Sequence, residues 1–311
     1  MLFRSESRRP GPAMKRVAIV ATEGALDLDT DGAFLLPALE RAGLSASAVS
    51  WRDDSVSWGD FDLAVIRATW DYVERYREFR RWLVEVEAQT TLLNPARVVA
   101  WSSDKIYLSE VSEAGFDIVP TTFFSPGEPL ESRHFAFRGS GPWVVKPRVS
   151  AGCYETERYE TSEREAALAH VDRLLEAGAE VMLQPYQVEV ETQGEAGLVF
   201  IEGRFSHAFR KGPLLAKDAS PVPGAEDQTL FRKEAIDPLQ ASPAQLELAQ
   251  AIMDWVCQRF GPLLYARVDL VPDAEGRPRL LELELAEPSL FHETDPSSAD
   301  RLAEAIVARL E

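Results

Sequence analysis

Three carboxylates and one guanidinium recur at alternate positions of two short apolar segments, LYARVDLV (264–271) and RLLELEL (279–285). Side chains on a strand alternate between its two faces, so the charged residues of each segment share one face. They are Arg267 and Asp269 in the first segment, and Glu282 and Glu284 in the second. The Asp and Gly residues between the segments predict a tight hairpin turn centred near Glu275. That turn would set Asp269 opposite Glu282 and Arg267 opposite Glu284.

Carboxylates this close together raise one another's pKa unless a cation lies between them. A hard divalent cation prefers oxygen ligands, so the pattern predicts a Mg²⁺ site formed by Asp269, Glu282 and Glu284. The alternative is a half-buried strand with a solvated acidic face, which shows the same alternation. Under the metal interpretation we expect Glu282→Gln to lower activity and, by diluting like charges, to leave the stability of the ligand-free protein level or improved.

Other strand ends carry residues suited to a nucleotide. Lys146 ends the apolar run WVVKP just before the small-residue turn Ser150-Ala151-Gly152, whose backbone N–H groups can hold phosphate oxygens. Gln184 and Tyr186 follow the next strand, where backbone groups can bond an adenine; the acceptors for a ribose hydroxyl would be Glu189 or Glu191. Each feature has an ordinary alternative. Lys146 would be a charged residue at a hairpin edge that disfavours pairing with other strands. The segment with Gln184 and Tyr186 would be a linker between lobes.

A third strand ends in Arg210-Lys211, within FSHAFRK. The two cations are either phosphate ligands or surface charges, and the residues alone leave both interpretations open.

The first part of the chain shows a strand–loop–helix–strand rhythm, which predicts an open parallel sheet with ligands at the carboxyl ends of its strands. Two polar loops lie at such ends, 22–32 and 67–72. They supply the candidate substrate residues Asp27, Asp29, Arg67, Thr69 and Asp71. Trp70 and Tyr72 would stack on a substrate or pack in the core.

The remaining organisation predicts three lobes behind a disordered leader at 1–13, or a start at Met14. They are an N-terminal α/β substrate lobe (14–96), a linker helix with a small lid lobe (97–185) and a C-terminal lobe (186–311). The linker helix would run over 97–114, with Lys105 in its middle.

Composition excludes several classes of protein. The formal net charge of −18 argues against a nucleic-acid or anionic-membrane partner. Cys153 and Cys257 are too far apart in sequence to indicate a disulfide framework or a zinc site. No apolar run approaches the length of a membrane span, so we expect a cytoplasmic protein, either monomer or homodimer.

The order of these features resembles the ATP-grasp superfamily over nearly everything from Met14 onward. Within it, the segments IRATWDY, KPRVSAG, FSHAFRK and LELELAEPSLF are similar to the O-ureidoserine cyclo-ligases of cycloserine biosynthesis. The resemblance implies an α/β ATP-grasp fold in which a lid lobe covers a nucleotide and metal lobe. It also implies an ATP-dependent carboxylate–amine ligase that forms an acylphosphate on a small amino-acid-like substrate.

By this resemblance the nucleotide contacts are Lys105, Lys146, Ser150, Ala151, Gly152, Gln184, Tyr186, Val188, Glu189 and Glu191. The catalytic cations are Lys146, Arg210, Lys211 and Arg267, and Ser289 joins the substrate residues. The metal would be Mg²⁺, as two ions, with Mn²⁺ able to substitute, on Asp269, Glu282 and Glu284; many relatives have asparagine at the last position. The alternatives are a dipeptide-forming amino acid ligase and an ATP-binding module without turnover.

Overall fold

A computed structural model describes residues 14–25, 30–129, 133, 136–137, 141–215 and 235–310, and these form three sheets with flanking helices. The predicted disordered leader, 1–13, and the candidate residues Asp27 and Asp29 lie outside the described ranges. Among the helices of those ranges, none combines the length and apolar character needed to cross a membrane.

The first sheet is parallel throughout, in the order β2-β1-β3-β4, which confirms the predicted open parallel sheet. Its two central strands are almost entirely buried, and uninterrupted apolar runs suit strands that are covered on both faces. The strands are β1 (Arg16–Ala21), β2 (Ser45–Ser50), β3 (Leu63–Ala68) and β4 (Thr91–Leu93), flanked by helices α1 (Gly32–Arg41) and α2 (Tyr76–Glu87). A short 3-10 helix, Trp70–Val73, leads from β3 toward α2.

The second sheet is small and antiparallel, in the order β5-β8-β6-β7. It consists of β5 (Thr122–Phe124), β6 (Trp143–Pro147), β7 (Glu157–Tyr159) and β8 (Val181–Pro185), with α5 (Arg164–Glu176) packed on it. The capping box ahead of that helix is formed by Glu160 and Glu163. A 3-10 turn, Thr161–Glu163, lies between this capping box and the helix.

The third sheet is antiparallel, in the order β11-β10-β9-β12-β13. Its strands are β9 (Glu195–Ile201), β10 (Arg204–Lys211), β11 (Ile236–Pro238), β12 (Tyr265–Pro272) and β13 (Pro278–Glu284), and a short helix α6 (Val190–Gln193) precedes it. The Ser242 side chain caps α7 (Pro243–Phe260), which packs on one face of this sheet. The last helix, α8 (Ser297–Ala308), packs against α1 and so joins the first and third sheets.

The predicted helix over 97–114 is divided into α3 (Ala96–Ser102) and α4 (Tyr107–Glu113). The break falls at Asp104 and Lys105. The Asp104 carboxylate receives two hydrogen bonds from the Arg148 guanidinium, and the Lys105 backbone N–H donates to the Arg148 carbonyl. These contacts tie the break to the end of β6, in the second sheet.

Buried polar contacts fasten the first sheet to the third. The Tyr265 hydroxyl lies 2.6 Å from the Ile66 carbonyl oxygen and 2.8 Å from that of Ala286. The Asn94 amide donates to the carbonyls of Tyr265 and Leu285 and accepts from the Leu264 N–H. All of these groups are buried, so each hydrogen bond satisfies a group that water cannot reach.

We expect Tyr265→Phe to lower the free energy of unfolding by about 1–3 kcal/mol, because the two buried carbonyl groups lose the one hydroxyl proton that they share while the packing volume is kept. Thermal unfolding monitored by circular dichroism measures the change. Tyr159→Phe is the matched control, because that hydroxyl bonds an exposed Glu157 carboxylate. An equal loss of unfolding free energy in Tyr265→Phe and Tyr159→Phe would contradict this account of the contact between the first and third sheets.

Candidate active site

One large cavity lies where the three sheets meet. Strand β3 and its following turn contribute Trp70 and Tyr72, and the helix break contributes Lys105. The second sheet contributes a wall with the turn above it: Lys146, Ser150, Ala151, Gly152, Gln184 and Tyr186. The third sheet contributes the floor, with Glu195, Lys211, Arg267, Asp269, Glu282, Glu284, Glu287 and Ser289. Most of the predicted nucleotide, phosphate and metal residues therefore surround one space.

The hairpin of β12 and β13 has the predicted register, with Asp269 opposite Glu282 and Arg267 opposite Glu284. The Arg267 guanidinium donates two hydrogen bonds to Asp269, at 2.8 and 2.9 Å, and a third to Glu284. Burial alone would raise the pKa of Asp269, but Arg267 and Lys211 outweigh it and lower that pKa to about 2. Asp269 is therefore a permanent anion on the floor of the cavity.

Glu282 is shared by two lysines from different parts of the chain. Its carboxylate lies 2.9 Å from Lys105 Nζ and 4.0 Å from Lys146 Nζ. Burial opposes the charge of all three groups, yet the closer pairing raises the pKa of Lys105 and the two lysines lower that of Glu282. The more distant pairing does not offset burial for Lys146, whose pKa is lowered. Lys105 Nζ also donates to the Ser150 carbonyl, at 2.6 Å.

Lys211 ends β10 and joins the same network. Its ammonium contacts Asp269 at 3.0 Å and also pairs with Glu195, at the start of β9. The sequence analysis did not identify Glu195, because a single glutamate after a glycine carries no motif.

Two carboxyl groups of the cavity have strongly raised pKa values. Burial, together with the charges of Asp269 and Glu282, raises the pKa of Glu284 to about 8 even though Arg267 contacts it. Burial raises the pKa of Glu287 to about 7. Glu287 also escaped the sequence analysis, since it lies beyond the alternating pattern of β13. Burial is the largest cause of both shifts, and the charge of Glu282 adds to each.

The oxygen ligands of the floor suit a hard divalent cation in chemistry. Within the described ranges, however, no three carboxylate, His or Cys side chains are arranged as a ready metal site. The reason is that Asp269, Glu282 and Glu284 each turn toward Arg267 or a lysine. The convergence of Asp269, Glu282 and Glu284 on one cavity favours a metal, because a divalent cation would offset their like charges.

The candidate adenine-binding residues, Gln184 and Tyr186, lie at the end of β8 and just beyond it. The Gln184 side chain is buried and donates to the Thr121 hydroxyl at 2.9 Å. Tyr186 has the Arg158 guanidinium 4.0 Å from its ring centroid. Gln184, Tyr186 and their neighbours Gln187 and Val190 line the cavity.

The comparisons with known proteins agree with this geometry. The family of D-cycloserine synthetase DcsG N-terminal domains matches residues 17–94. The cycloserine biosynthesis protein DcsG of Streptomyces lavendulae is 36% identical over 304 residues, which cover 94% of this chain and 98% of that protein. The chain belongs to the DcsG family.

Solved structures extend the likeness to the wider ATP-grasp fold. The crystal structure of D-cycloserine synthetase DcsG matches with a TM-score of 0.87 at 33% identity, covering 95% of this chain and 100% of the other. D-alanine–D-alanine ligase from Bacillus anthracis matches with a TM-score of 0.67 at 13% identity, covering 96% and 97% of the two chains. The predicted ATP-grasp fold is thereby confirmed, and the chain is an ATP-grasp ligase.

Several candidates of this DcsG-family member do not line the described cavity. Arg210 does not line the cavity with Lys211, because successive side chains of β10 face opposite ways and Arg210 pairs with the exposed Asp237. A catalytic role for Arg210 stays a prediction that this geometry does not favour. After β8, Val188 is exposed, Glu189 is half-buried and Glu191 pairs with Arg158.

The candidate substrate residues of β3 are also outside the cavity lining. Arg67 is buried against Asp31 and the Pro288 carbonyl, and Thr69 is fully buried beside it in the chain. Asp71 accepts from the Trp51 indole and the Thr22 hydroxyl. These polar groups support neighbouring backbone and aromatic residues, so direct contact with a substrate stays a prediction that the geometry does not favour.

We expect opposite effects of two amide substitutions on the ligand-free protein at pH 7.5. Glu282→Gln removes the carboxylate that pairs with buried Lys105, so the melting temperature should fall. This replaces the expectation from sequence, which considered repulsion alone. Glu284→Gln removes a carboxyl group whose ionisation is opposed by burial, so the melting temperature should hold or rise. Differential scanning calorimetry compares both variants with the wild type.

The pH dependence provides the control. Between the ordinary carboxyl pKa of 4.5 and about 8, Glu284 holds a proton in the folded protein more than in the unfolded chain. Its contribution to stability is therefore fully present at low pH and is lost as pH rises through about 8. Glu284→Gln should flatten the decline of melting temperature across that window. Equal shifts of the melting temperature in Glu282→Gln and Glu284→Gln would contradict the assignment of an ion pair to Glu282 and of a raised pKa to Glu284.

Proposed function

We propose that this protein is an ATP-dependent carboxylate–nitrogen ligase that closes the ring of cycloserine from O-ureidoserine through an acylphosphate. The observation that supports this most directly is the likeness to cycloserine synthetase along nearly the whole chain, joined to a cavity in which the cations and carboxylates meet. A small amino-acid-like substrate fits a space bounded by Trp70 and Tyr72 on one side and by the buried charges on the other.

ATP would lie between the second and third sheets. Gln184 and Tyr186 border the adenine, and Glu189 or Glu191 remains the proposed acceptor for the ribose. Lys105 and Lys146 point toward the phosphates, beneath the turn 150–152. The turn can supply backbone N–H donors to phosphate oxygens although it carries a single glycine.

Asp269, Glu282 and Glu284 would hold Mg²⁺, proposed as two ions with Mn²⁺ able to substitute. When bound, the metal neutralises phosphate charge and aligns the oxygens of the transferring group. With the metal bound, these three carboxylates would no longer depend on lysine and arginine side chains to neutralise their charge. Lys105, Lys146, Lys211 and Arg267 would be free to turn toward the negatively charged phosphates, so the network has a built-in exchange of ionic partners.

The residues of the chain supply positioning and charge stabilisation for the transfer. The substrate carboxylate is already ionised and attacks the γ-phosphorus without a dedicated base. Arg267 and Lys211 lie where negative charge gathers between the two reactants. The second sheet and its turn would close over the cavity and exclude water, which protects the acylphosphate until the oxygen-bound ureido nitrogen attacks the acyl carbon and phosphate leaves. Water then hydrolyses the carbamoyl group on that ring nitrogen, which leaves as carbon dioxide and ammonia and gives cycloserine.

The test is a turnover assay with ATP, Mg²⁺ and O-ureidoserine, in which ADP release is followed by a coupled assay and cycloserine by mass spectrometry. A panel of free amino acids is run in parallel. O-ureidoserine with ¹⁸O in its carboxylate should transfer ¹⁸O to the released phosphate. Dipeptide products would favour the intermolecular alternative, and unlabelled phosphate would contradict the acylphosphate. Absence of ADP formation with every substrate would leave the chain as an ATP-binding module.

We expect Lys146→Met to lower ATP-dependent turnover by at least about 100-fold, because a preorganised cation at the phosphates is removed from a water-excluded site. The fold should persist, as judged by an unchanged circular dichroism spectrum. Lys15→Met is the matched control, since Lys15 is exposed and pairs with Asp62 on the surface. Turnover within about twofold of the wild type in Lys146→Met would remove Lys146 from the site.

A further inference from the structure

Glu287 differs from the other carboxylates of the cavity in its surroundings. Glu195, Asp269, Glu282 and Glu284 each have a lysine or arginine within 4.0 Å. Within the described ranges no lysine or arginine lies within 4.0 Å of the Glu287 carboxyl; this group hydrogen-bonds the Tyr72 side chain, and Lys105 and Arg267 act on it from farther away. It is nevertheless 92% buried, with 8% of its surface exposed. A buried carboxylate without a cation is unfavourable unless something else supplies the charge.

The position of Glu287 indicates what that charge is. Two residues along the chain, the Ser289 carbonyl accepts a hydrogen bond of 2.8 Å from Arg267. Glu287, Ser289 and Arg267 all line the cavity, so an anionic group and a guanidinium face the same space. An α-amino acid carries its carboxylate and its ammonium at neighbouring atoms and presents the complementary pair of charges.

Neither nucleotide nor metal provides a good partner for this carboxylate. The phosphates of ATP are anionic and would repel it. The proposed metal ligands lie on the alternating face of β13, whereas Glu287 lies three residues beyond Glu284, past the end of that strand. Its neighbour Tyr72 comes from the first sheet and offers an aromatic face, on which a cation is also favourable.

We propose that Glu287 is the specificity residue that binds the ammonium group of the amino-acid substrate, with Tyr72 holding its carboxylate in place and Arg267 facing the carboxyl end of the same molecule. This assignment rests on the proposed ligase function and adds the substrate class: an α-amino acid whose amino group is free and protonated. An acid lacking that amino group would leave Glu287 buried without a cation.

The experiment measures how Glu287→Gln changes discrimination between two ligands that differ only in the amino group. The probes are O-ureidoserine and 3-(ureidooxy)propanoate. Calorimetry in the presence of Mg²⁺ and a non-hydrolysable ATP analogue gives their dissociation constants. In the wild type O-ureidoserine should bind at least about 10-fold more tightly, as expected for a charged hydrogen bond.

Glu287→Gln should weaken O-ureidoserine binding by about 10- to 100-fold and leave 3-(ureidooxy)propanoate within about twofold. The KM for O-ureidoserine should rise accordingly while the KM for ATP stays level. Glu287→Asp keeps the charge and should recover part of the discrimination. Glu293→Gln is the matched control, because Glu293 lies on the same loop, is exposed and accepts from the Thr30 hydroxyl.

Three outcomes would overturn the assignment. Equal weakening of both probes would show that Glu287 acts on the fold of the cavity. A fall in kcat with unchanged KM would make it a proton acceptor for the attacking nitrogen. Equal affinity of the two probes for the wild type would show that the amino group is not recognised, and this measurement needs no variant to fold.

Failure of the proposed function has a separate signature. If the wild type does not bind O-ureidoserine, the same comparison is made with the amino acid that supports the highest ADP release in the panel and with its desamino acid. Loss of discrimination in Glu287→Gln would still support the assignment for that substrate, and retained discrimination would overturn it.

Discussion

The guanidinium of Arg267, held between Asp269 and Glu284, is the contact on which the charge arrangement of the cavity depends. A single buried cation serves two carboxylates, and it satisfies them unequally. Asp269 receives two of its hydrogen bonds and is strongly acidic, whereas Glu284 has a pKa of about 8. Removing Arg267 would take two hydrogen bonds from the buried anion Asp269 and the ion pair from Glu284, so the hairpin would lose an interaction that allows its charged face to point inward.

The other cations reach this floor from separate parts of the fold, and that explains several local features. Lys105 arrives from a break between two helices, and the break is held by Asp104 and Arg148. Lys146 comes from a strand of the second sheet, and Lys211 from the end of β10. Because each cation belongs to a different element, the positions of these elements and the charges of the cavity are coupled. A shift of the second sheet, which carries Lys146, would change the partners of Glu282.

Sequence reasoning predicted the hairpin well because its two rules are strong. A side-chain period of two and a turn rich in Gly and Asp determine which residues face one another, and the register of Asp269 with Glu282 is confirmed. The same alternation rule, applied to FSHAFRK, would have separated Arg210 from Lys211. Glu195 and Glu287 could not be found this way, because their importance comes from burial and from the absence or presence of a cation nearby, which only the folded chain determines.

The strand ends of the first sheet show why a correctly predicted fold does not determine which residues face the cavity. Arg67 does lie at the carboxyl end of a parallel strand, but it is buried at an interface, where it donates to Asp31 and to the Pro288 carbonyl. Asp31 in turn accepts from the N–H groups of Leu290 and His292. The loop bound by these contacts is the one that carries Glu287 and Ser289. The first sheet therefore acts on the substrate side of the cavity by fixing the shape of that loop, and its polar residues need not touch the substrate to affect its binding.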